Sequence, residues 1–411
     1  MRLLFLSQVL PYPLDAGPKM RSYFVLRHLV QHHEVTLVTF VRETDKAEYI
    51  SHLADLCHAV HTVPMPRTPI REARFLLKSI ITQEPFLITR DYVAAMMEKL
   101  RALTNSQTFD AVHADQLWMA EYALAVKKMQ PSTKIILDQH NAVQLIPQRL
   151  AENETNAIKK IILAREARLL ARYEPKVCQQ FDHVVWVTQE DYQAVNGHSG
   201  STNGHLPSTV IPICADPVQV EPIPVTENRH RITFLGGLHW PPNAEGILWF
   251  AKHVFPQVKA AIPEAILTVI GKNPPAGLEG DGVEVTGYVI DPKPYLAETA
   301  AFIVPLYAGG GMRVKILDAW SWGLPIISTT IGAEGIQTAH GKDILIADTP
   351  DEFAQAVIRV CRDPELAQQL AKNGRQSVIE KYNWQTIYAA WDKVYIQAHQ
   401  KNGIHPQQVT M

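Results

Sequence analysis

Three glycines, an arginine and a lysine stand close together in this 411-residue chain, in the run Gly309-Gly310-Gly311-Met312-Arg313-Val314-Lys315. Glycine has no Cβ, so its backbone N–H groups can close on an anion. The run follows an apolar stretch, Phe302–Val304, and leads into an amphipathic stretch that reads as a helix. A helix start aims unpaired N–H groups and its positive end at the same spot. Arg313 and Lys315 add two fixed charges, and charge-assisted hydrogen bonds contribute about 1.5–3 kcal/mol each. Two linked phosphates suit this arrangement better than one, so the predicted chemistry is a grip on a diphosphate. A tight turn carrying a surface arginine and lysine is the competing reading.

Other chemistry-bearing residues also fall just after apolar runs. Gly236 and Gly237 end one such run, and Asn243 beyond them is placed to cap a helix. Gly287, Tyr288 and Val289 follow another, and Glu334 follows a third. In the first half, Asp15, Gly17 and Arg21 come after the first run, while His113 and His140 sit at later run ends. No carboxylate dyad of the kind glycosidases use is visible. The nearest approach to Asp-x-Asp is Glu279-Gly280-Asp281, in a glycine-rich turn, so no metal is expected. The four cysteines, Cys57, Cys178, Cys214 and Cys361, form no CxxC and read as buried thiols of a reducing compartment.

The elements that must position these residues are short apolar runs alternating with helical patterns. In the first half the runs are Leu3–Leu6, Val35–Phe40, Ala59–Val63, Ala111–Ala114, Ile135–Leu137 and Val184–Val187. In the second they are Ile232–Leu235, Ile266–Ile270, Val283–Val285, Ala301–Val304, Pro325–Ser328 and Ile344–Ala347. Such alternation predicts α/β architecture with parallel sheets covered on both faces. Two series predict two doubly wound, Rossmann-like domains facing across a cleft, with ligands at the carboxyl ends of the strands. The expected boundaries are a domain over 1–214, a proline-containing linker over 215–230 and a second domain over 231–382. A helix over 383–401 is expected to return to the first domain, and 402–411 reads as a loose tail.

A net charge of -2, with 19% charged residues and no basic domain, argues against a nucleic-acid binder. The apolar start of the chain is cut short by Ser7 and Gln8, so it reads as a strand and not a signal peptide. No run approaches the roughly 18 apolar residues of a membrane span, and a cytoplasmic protein is expected. Arg67, Arg71, Arg74 and Lys78 share one helical face, with Ile70, Leu77 and Ile81 on another side. That pattern suits peripheral contact with an anionic membrane surface. The stretch Asn156–Val177 reads as a core-packed helix.

The segment from Gly309 to Ala319 resembles the C-terminal-domain signature of GT-B-fold glycosyltransferases, in particular the retaining, group 1 type family 4. Its loop has the form Gly-x-Gly-x-Arg-x-Lys-x-x-Glu-Ala. The resemblance implies that Arg313 and Lys315 hold the donor diphosphate and that Asp318 reaches the ribose hydroxyls. Many members carry two glutamates where this chain has Gly310 and Asp318; backbone N–H groups near Gly310 and Gly311 would then hold the donor sugar, with Met312 also on the donor-binding side. Gly236, Gly237 and Gly309 would face the donor phosphates, and Gly287, Tyr288 and Val289 would line the base through backbone groups. A lysine common after the Gly236–Gly237 loop has no equivalent over 243–250. Glu334 would reach the donor, and His140 would lie beside the donor sugar. Asp15, Gly17, Arg21 and His113 would serve the acceptor side. The implied activity is transfer from a nucleoside-diphosphate sugar to a saccharide or lipid-linked hydroxyl, with retention, without metal or cofactor. A nucleotide-sugar epimerase of the same fold, or a non-enzymatic nucleotide-sugar-binding protein, remains as the alternative.

Overall fold

All twelve apolar runs become strands in the computed structural model, which describes residues 1–197, 207–224, 229–309 and 311–400. The first sheet contains β1 (Arg2–Ser7), β2 (Glu34–Val41), β3 (Ala59–Pro64), β4 (Ala111–Asp115), β5 (Lys134–Gln139), β6 (His183–Trp186) and β7 (Ser208–Val210). Its order is β3-β2-β1-β4-β5-β6-β7. The second contains β8 (Arg231–Leu235), β9 (Ile266–Ile270), β10 (Val283–Gly287), β11 (Thr299–Val304), β12 (Ile326–Ser328) and β13 (Leu345–Ile346). Its order is β10-β9-β8-β11-β12-β13. Every pairing between these strands is parallel. The strand β7 has no counterpart among the runs read from the sequence.

Central strands such as β5 and β11 are buried along their whole length, as strands sandwiched between two helical layers must be. Each sheet has its own core. Leu4, Leu6, Val112, Ile135, Leu137 and Trp186 anchor the first. Phe234, Val269, Ile303, Phe250 and Phe353 anchor the second. In each sheet the strand order reverses once, between β1 and β4 and between β8 and β11. Ligand crevices of doubly wound sheets form at such switch points, so the loops after these four strands are the places to look.

The chain divides into two compact units: Met1–Pro147, Ile161–Pro212 and the segment from Gln385 onward form one, Gln148–Lys160 and Ile213–Trp384 the other. Residues 148–160 thus pack with the second unit, apart from their neighbours in sequence. The described part of the expected linker, 215–224, is bonded to the second unit: Ala215 N–H donates to Tyr382 O at 2.8 Å and Ile223 N–H to Trp322 O at 2.9 Å. The helix Ala390–Gln400 belongs to the first unit, where Asp392 Oδ1 lies 2.9 Å from His28 Nε2. Residues 402–411 lie outside the described residues.

The helix Ala157–Cys178 is core-packed only over its later turns, at Leu169, Leu170, Val177 and Cys178. Its first turns leave Ile161 and Ile162 exposed, so the expected core packing does not extend to that end.

Candidate functional site

The second unit brings the two glycine loops together at its switch point. After β8 the chain passes Gly236 and Gly237 and enters the helix Pro241–Trp249. Asn243 does not cap that helix: prolines fill its first positions and Trp240 stands at the cap, so Asn243 falls inside the first turn. Its side chain ties the site instead. Asn243 Nδ2 donates to Gly237 O at 2.8 Å, and its Oδ1 accepts from Lys315 Nζ at 2.9 Å. Lys315 rides in the first turn of the helix Val314–Ser321, which starts from the loop after β11. Its Nζ lies 4.2 Å from the centre of the Phe234 ring. A Cβ on Gly236 would come within 2.7 Å of that Nζ, so only glycine leaves the ammonium this position.

Burial, reinforced by the nearby charge of Arg313 and opposed by Asp318, lowers the Lys315 pKa to about 7. Burial raises that of Asp318, one turn further on, to about 7 against the pull of Lys315. Two groups that would both be charged in water therefore titrate around neutrality, a pattern concentrated at functional sites.

Arg313 is buried at the start of the same helix, and its Nη1 donates to Gly311 O at 2.7 Å. Gly309 takes φ +119°, a conformation costly for any residue with a Cβ. Gly310 lies outside the described residues. Met312 is buried, so its side chain is packing and only its backbone can serve a ligand. Tyr288 is exposed beyond β10, with Lys272 Nζ 4.3 Å from its ring centre; Gly287 and Val289 flank it, half-buried.

Glu334 has a partner that the sequence did not announce. Arg149 meets it in a two-pronged pair, Nη1 to Oε2 at 2.5 Å and Nη2 to Oε1 at 2.7 Å. Arg149 also donates to Gly309 O. Arg313 Nη2 lies 3.8 Å from the same carboxylate. One glutamate thus stands between two guanidiniums at the mouth of the glycine loop. Nothing in the local sequence around Arg149 signals this, because its partners lie 160 and 185 positions away.

The first unit holds a buried polar network at the carboxyl ends of β1, β4 and β5. Arg21, fully buried, donates to Asp138 through Nε at 2.9 Å and Nη2 at 2.6 Å, and to Ile211 O through Nη1 at 2.8 Å. Asp115 Oδ2 accepts from Ser7 and Ser22, both at 2.7 Å. His140 Nε2 lies 2.9 Å from Asp115 Oδ1 and 3.4 Å from Asp138 Oδ2. Burial pushes the His140 pKa down, but the two carboxylates outweigh it and the net shift is upward. Burial alone would raise Asp138; Arg21 and His140 hold it well below the usual carboxylate range. His113, stacked on Phe5 and 2.8 Å from the Tyr395 hydroxyl, is driven by burial to about 4 and stays neutral. The trio His113, Asp115 and Asp138 lies close enough to chelate an ion, but its carboxylates already have internal partners in Arg21 and His140.

This placement changes two acceptor-side expectations. Arg21 and His113 are closed off from solvent and consumed by internal bonds, so they build the network and do not face an acceptor. Asp15 is exposed, paired with Lys19 at 2.9 Å, beside Gly17 at the start of the helix Gly17–Leu29. His140 is nearly buried, and among the described residues its Nδ1 has no hydrogen-bond partner. Its loop is pinned by Glu174, which no local sequence pattern singles out. Glu174 accepts from Val143 N–H and Gln144 N–H at 2.8 Å and from Gln139 Nε2 at 2.9 Å. Burial outweighs those donors and raises Glu174 to about 8.

Two parallel doubly wound units, the second with a basic glycine loop at its switch point, define the GT-B fold. The fold is shared with Anabaena Alr3699/HepE solved with UDP and glucose, at TM-score 0.67 and 12% identity over 96% of this chain and 99% of that one. It is shared with WaaG, a glycosyltransferase involved in lipopolysaccharide biosynthesis, at TM-score 0.60 and 12% identity over 96% and 99%. Residues 229–363 match the family model described as glycosyl transferases group 1. Along almost its whole length the chain is also similar to an uncharacterized 44.6 kDa protein in the cps region of Klebsiella pneumoniae, 22% identical over 95% of this chain and 98% of that one.

Proposed function

We propose that the chain transfers a sugar from a nucleoside-diphosphate sugar to a hydroxyl of a saccharide or lipid-linked saccharide, as a retaining, family 4 hexosyltransferase. The observation that carries this is the meeting of Arg313, Lys315 and the Gly236–Gly237 loop at one switch point. The group 1 match over that unit and the UDP-bound fold relative support it. UDP is the first diphosphate to test, and the cps-region relative favours surface polysaccharide synthesis.

In the proposed reaction, the bond from the sugar C1 to the diphosphate oxygen breaks while the acceptor oxygen bonds C1 on the same face. The acceptor proton passes to the departing diphosphate. Arg313 and Lys315 stabilise the charge that develops there, the role a metal plays in other transferases. His140, its pKa raised by Asp115 and Asp138, is the group assigned to a substrate hydroxyl.

The test is a thermal-shift screen of nucleoside diphosphates and their sugars, followed by transfer assays with the donor that stabilises the chain. Arg313→Ala is expected to lower turnover by about 10²–10³-fold with an unchanged melting curve. Transfer near the parent rate in that variant would remove the assignment. Donor conversion that needs no acceptor would identify an epimerase instead.

A further inference from the structure

The helix Ala390–Gln400 meets the helix Gly17–Leu29 through side chains that the proposed transfer does not use. His28 sits in the last turn of Gly17–Leu29, and its ring is buried. Its Nε2 lies 2.9 Å from Asp392 Oδ1. His32 follows one turn on. The helix ends at Leu29, but His32 N–H and His33 N–H both donate to Leu29 O, at 3.1 and 3.0 Å. The chain keeps turning there as a helix does, so residues four apart share a face. The ring centres of His28 and His32 stand 5.6 Å apart, and His32 remains exposed.

A simple ion pair needs two members, and this cluster has three. One ligand atom from each of His28, His32 and Asp392 lies within 4.8 Å of the other two. Two imidazoles and a carboxylate suit zinc, whereas magnesium and calcium take oxygen ligands. Bonds of about 2.0–2.2 Å put the ligand atoms of a tetrahedral zinc about 3.4 Å apart. The 2.9 Å pair has to open slightly and the farther atoms have to draw in. His32 is exposed and the Asp392 side chain 41% exposed, so both are free to turn, while His28 is held by burial. His33 adds a further nitrogen close by. Its ring centre is 6.3 Å from that of His32, and among the described residues neither of its buried ring nitrogens has a hydrogen-bond partner.

We propose that His28, His32 and Asp392 form a zinc site that clamps the helix Ala390–Gln400 to the helix Gly17–Leu29. Three protein ligands leave the fourth position to water. The clamp is structural: both helices belong to the first unit, and the site lies at the opposite end of Gly17–Leu29 from Gly17. What it holds in place is the cover of the buried network. Trp391 and Tyr395, on either side of Asp392 in sequence, both meet His113. The Trp391 ring centre is 5.2 Å from that of His113, and the Tyr395 hydroxyl is 2.8 Å from its Nδ1. The clamp does not rest on the sugar-transfer reading, and the zinc takes no part in that reaction.

The experiment is calorimetric titration of the full chain, free of any affinity tag and stripped with EDTA, with zinc chloride. One zinc per chain is expected. Cobalt(II) should replace it with the visible absorption of a tetrahedral ion, and excess magnesium should not displace it. His32→Ala keeps the His28–Asp392 pair and should weaken binding about 100-fold, the upper end of what losing even an outer partner costs. Asp392→Asn should do the same. His253→Ala, at an exposed histidine of the second unit, should change nothing. With zinc at about 100 times its dissociation constant, amide exchange through undocking of Ala390–Gln400 should slow about 100-fold in the parent and not in His32→Ala. Sugar transfer should be equal in the two, so a failed clamp and a failed activity remain distinct. Absence of stoichiometric zinc binding, or equal binding by parent and His32→Ala, overturns the proposal. Binding that leaves the exchange of Ala390–Gln400 unchanged also overturns it. A dimer holding one zinc per two chains overturns it in favour of a site between copies.

Discussion

Lys315 offers the most quantitative test of the proposed diphosphate site. Burial and the neighbouring Arg313 hold its pKa at about 7 in the free chain, against roughly 10.4 in water. A bound diphosphate places negative charge beside Nζ and restores the lysine's hold on its proton. It also pushes Asp318, at about 7 for reasons of burial, further toward its neutral form. Both effects have the same sign, so binding takes up protons near neutrality. Below pH 7 the ammonium is already formed and affinity is flat with respect to Lys315. Above it the charged fraction falls about tenfold per pH unit, from about one half at pH 7 to about one hundredth at pH 9. Affinity for a diphosphate should therefore drop about 50-fold over that range, or about 2.3 kcal/mol. The terminal phosphate of UDP ionises near pH 6 and does not mask the effect. Calorimetric titration with UDP and with inorganic pyrophosphate, in buffers of different ionisation enthalpy, reads both the affinity and the protons. Lys315→Met should bind weakly, with little dependence on pH. Constant affinity between pH 7 and 9 with no buffer-dependent heat would refute the reasoning.

Two further substitutions probe the supports of the two sites. Arg149→Ala frees the Glu334 carboxylate beside Arg313, where it competes with a diphosphate; about tenfold weaker donor binding is expected, read as a raised KM. Adding Glu334→Gln should restore much of it, and an unaffected KM in the single variant would show that Arg149 is packing only. Arg21→Met leaves the buried Asp138 carboxylate with only His140 against its charge and should cost about 3–5 kcal/mol in urea unfolding; a loss below about 1 kcal/mol would contradict the ion-pair account.

Strands were legible wherever an apolar run passes through a sheet covered on both faces, because burial there demands apolar side chains at every position. The edge strand β7 was not, since its three residues are only partly covered and follow no such pattern. The glycine loop and its two cations were visible because their spacing is local. Arg149 and Glu174 were invisible because each acts on residues distant in sequence. Arg21 was read as a ligand contact for the opposite reason: its position after β1 was clear, but its direction, inward to Asp138, is set by tertiary packing. Asn243 shows how a neighbour overrides a local rule, with Pro241 and Pro242 moving the helix start past it. The apolar side of Pro69–Thr82 was read, but which cations stay exposed depended on Asp91 and the carbonyls of Arg90 and Tyr92.

The return of the helix Ala390–Gln400 to the first unit has a consequence for biogenesis. Tyr395 meets His113 across 282 positions, and Asp392 meets His28 across 364. During synthesis the first sheet leaves the ribosome long before its closing helix exists. Until then the His113 edge of the network lacks its cover, while the second unit can form from its own contiguous core. The ordinary order in which domains complete as they emerge is therefore inverted here: the first unit to be synthesised is the last to be finished. A nascent chain arrested before position 390 should expose that edge to protease and regain protection only on release.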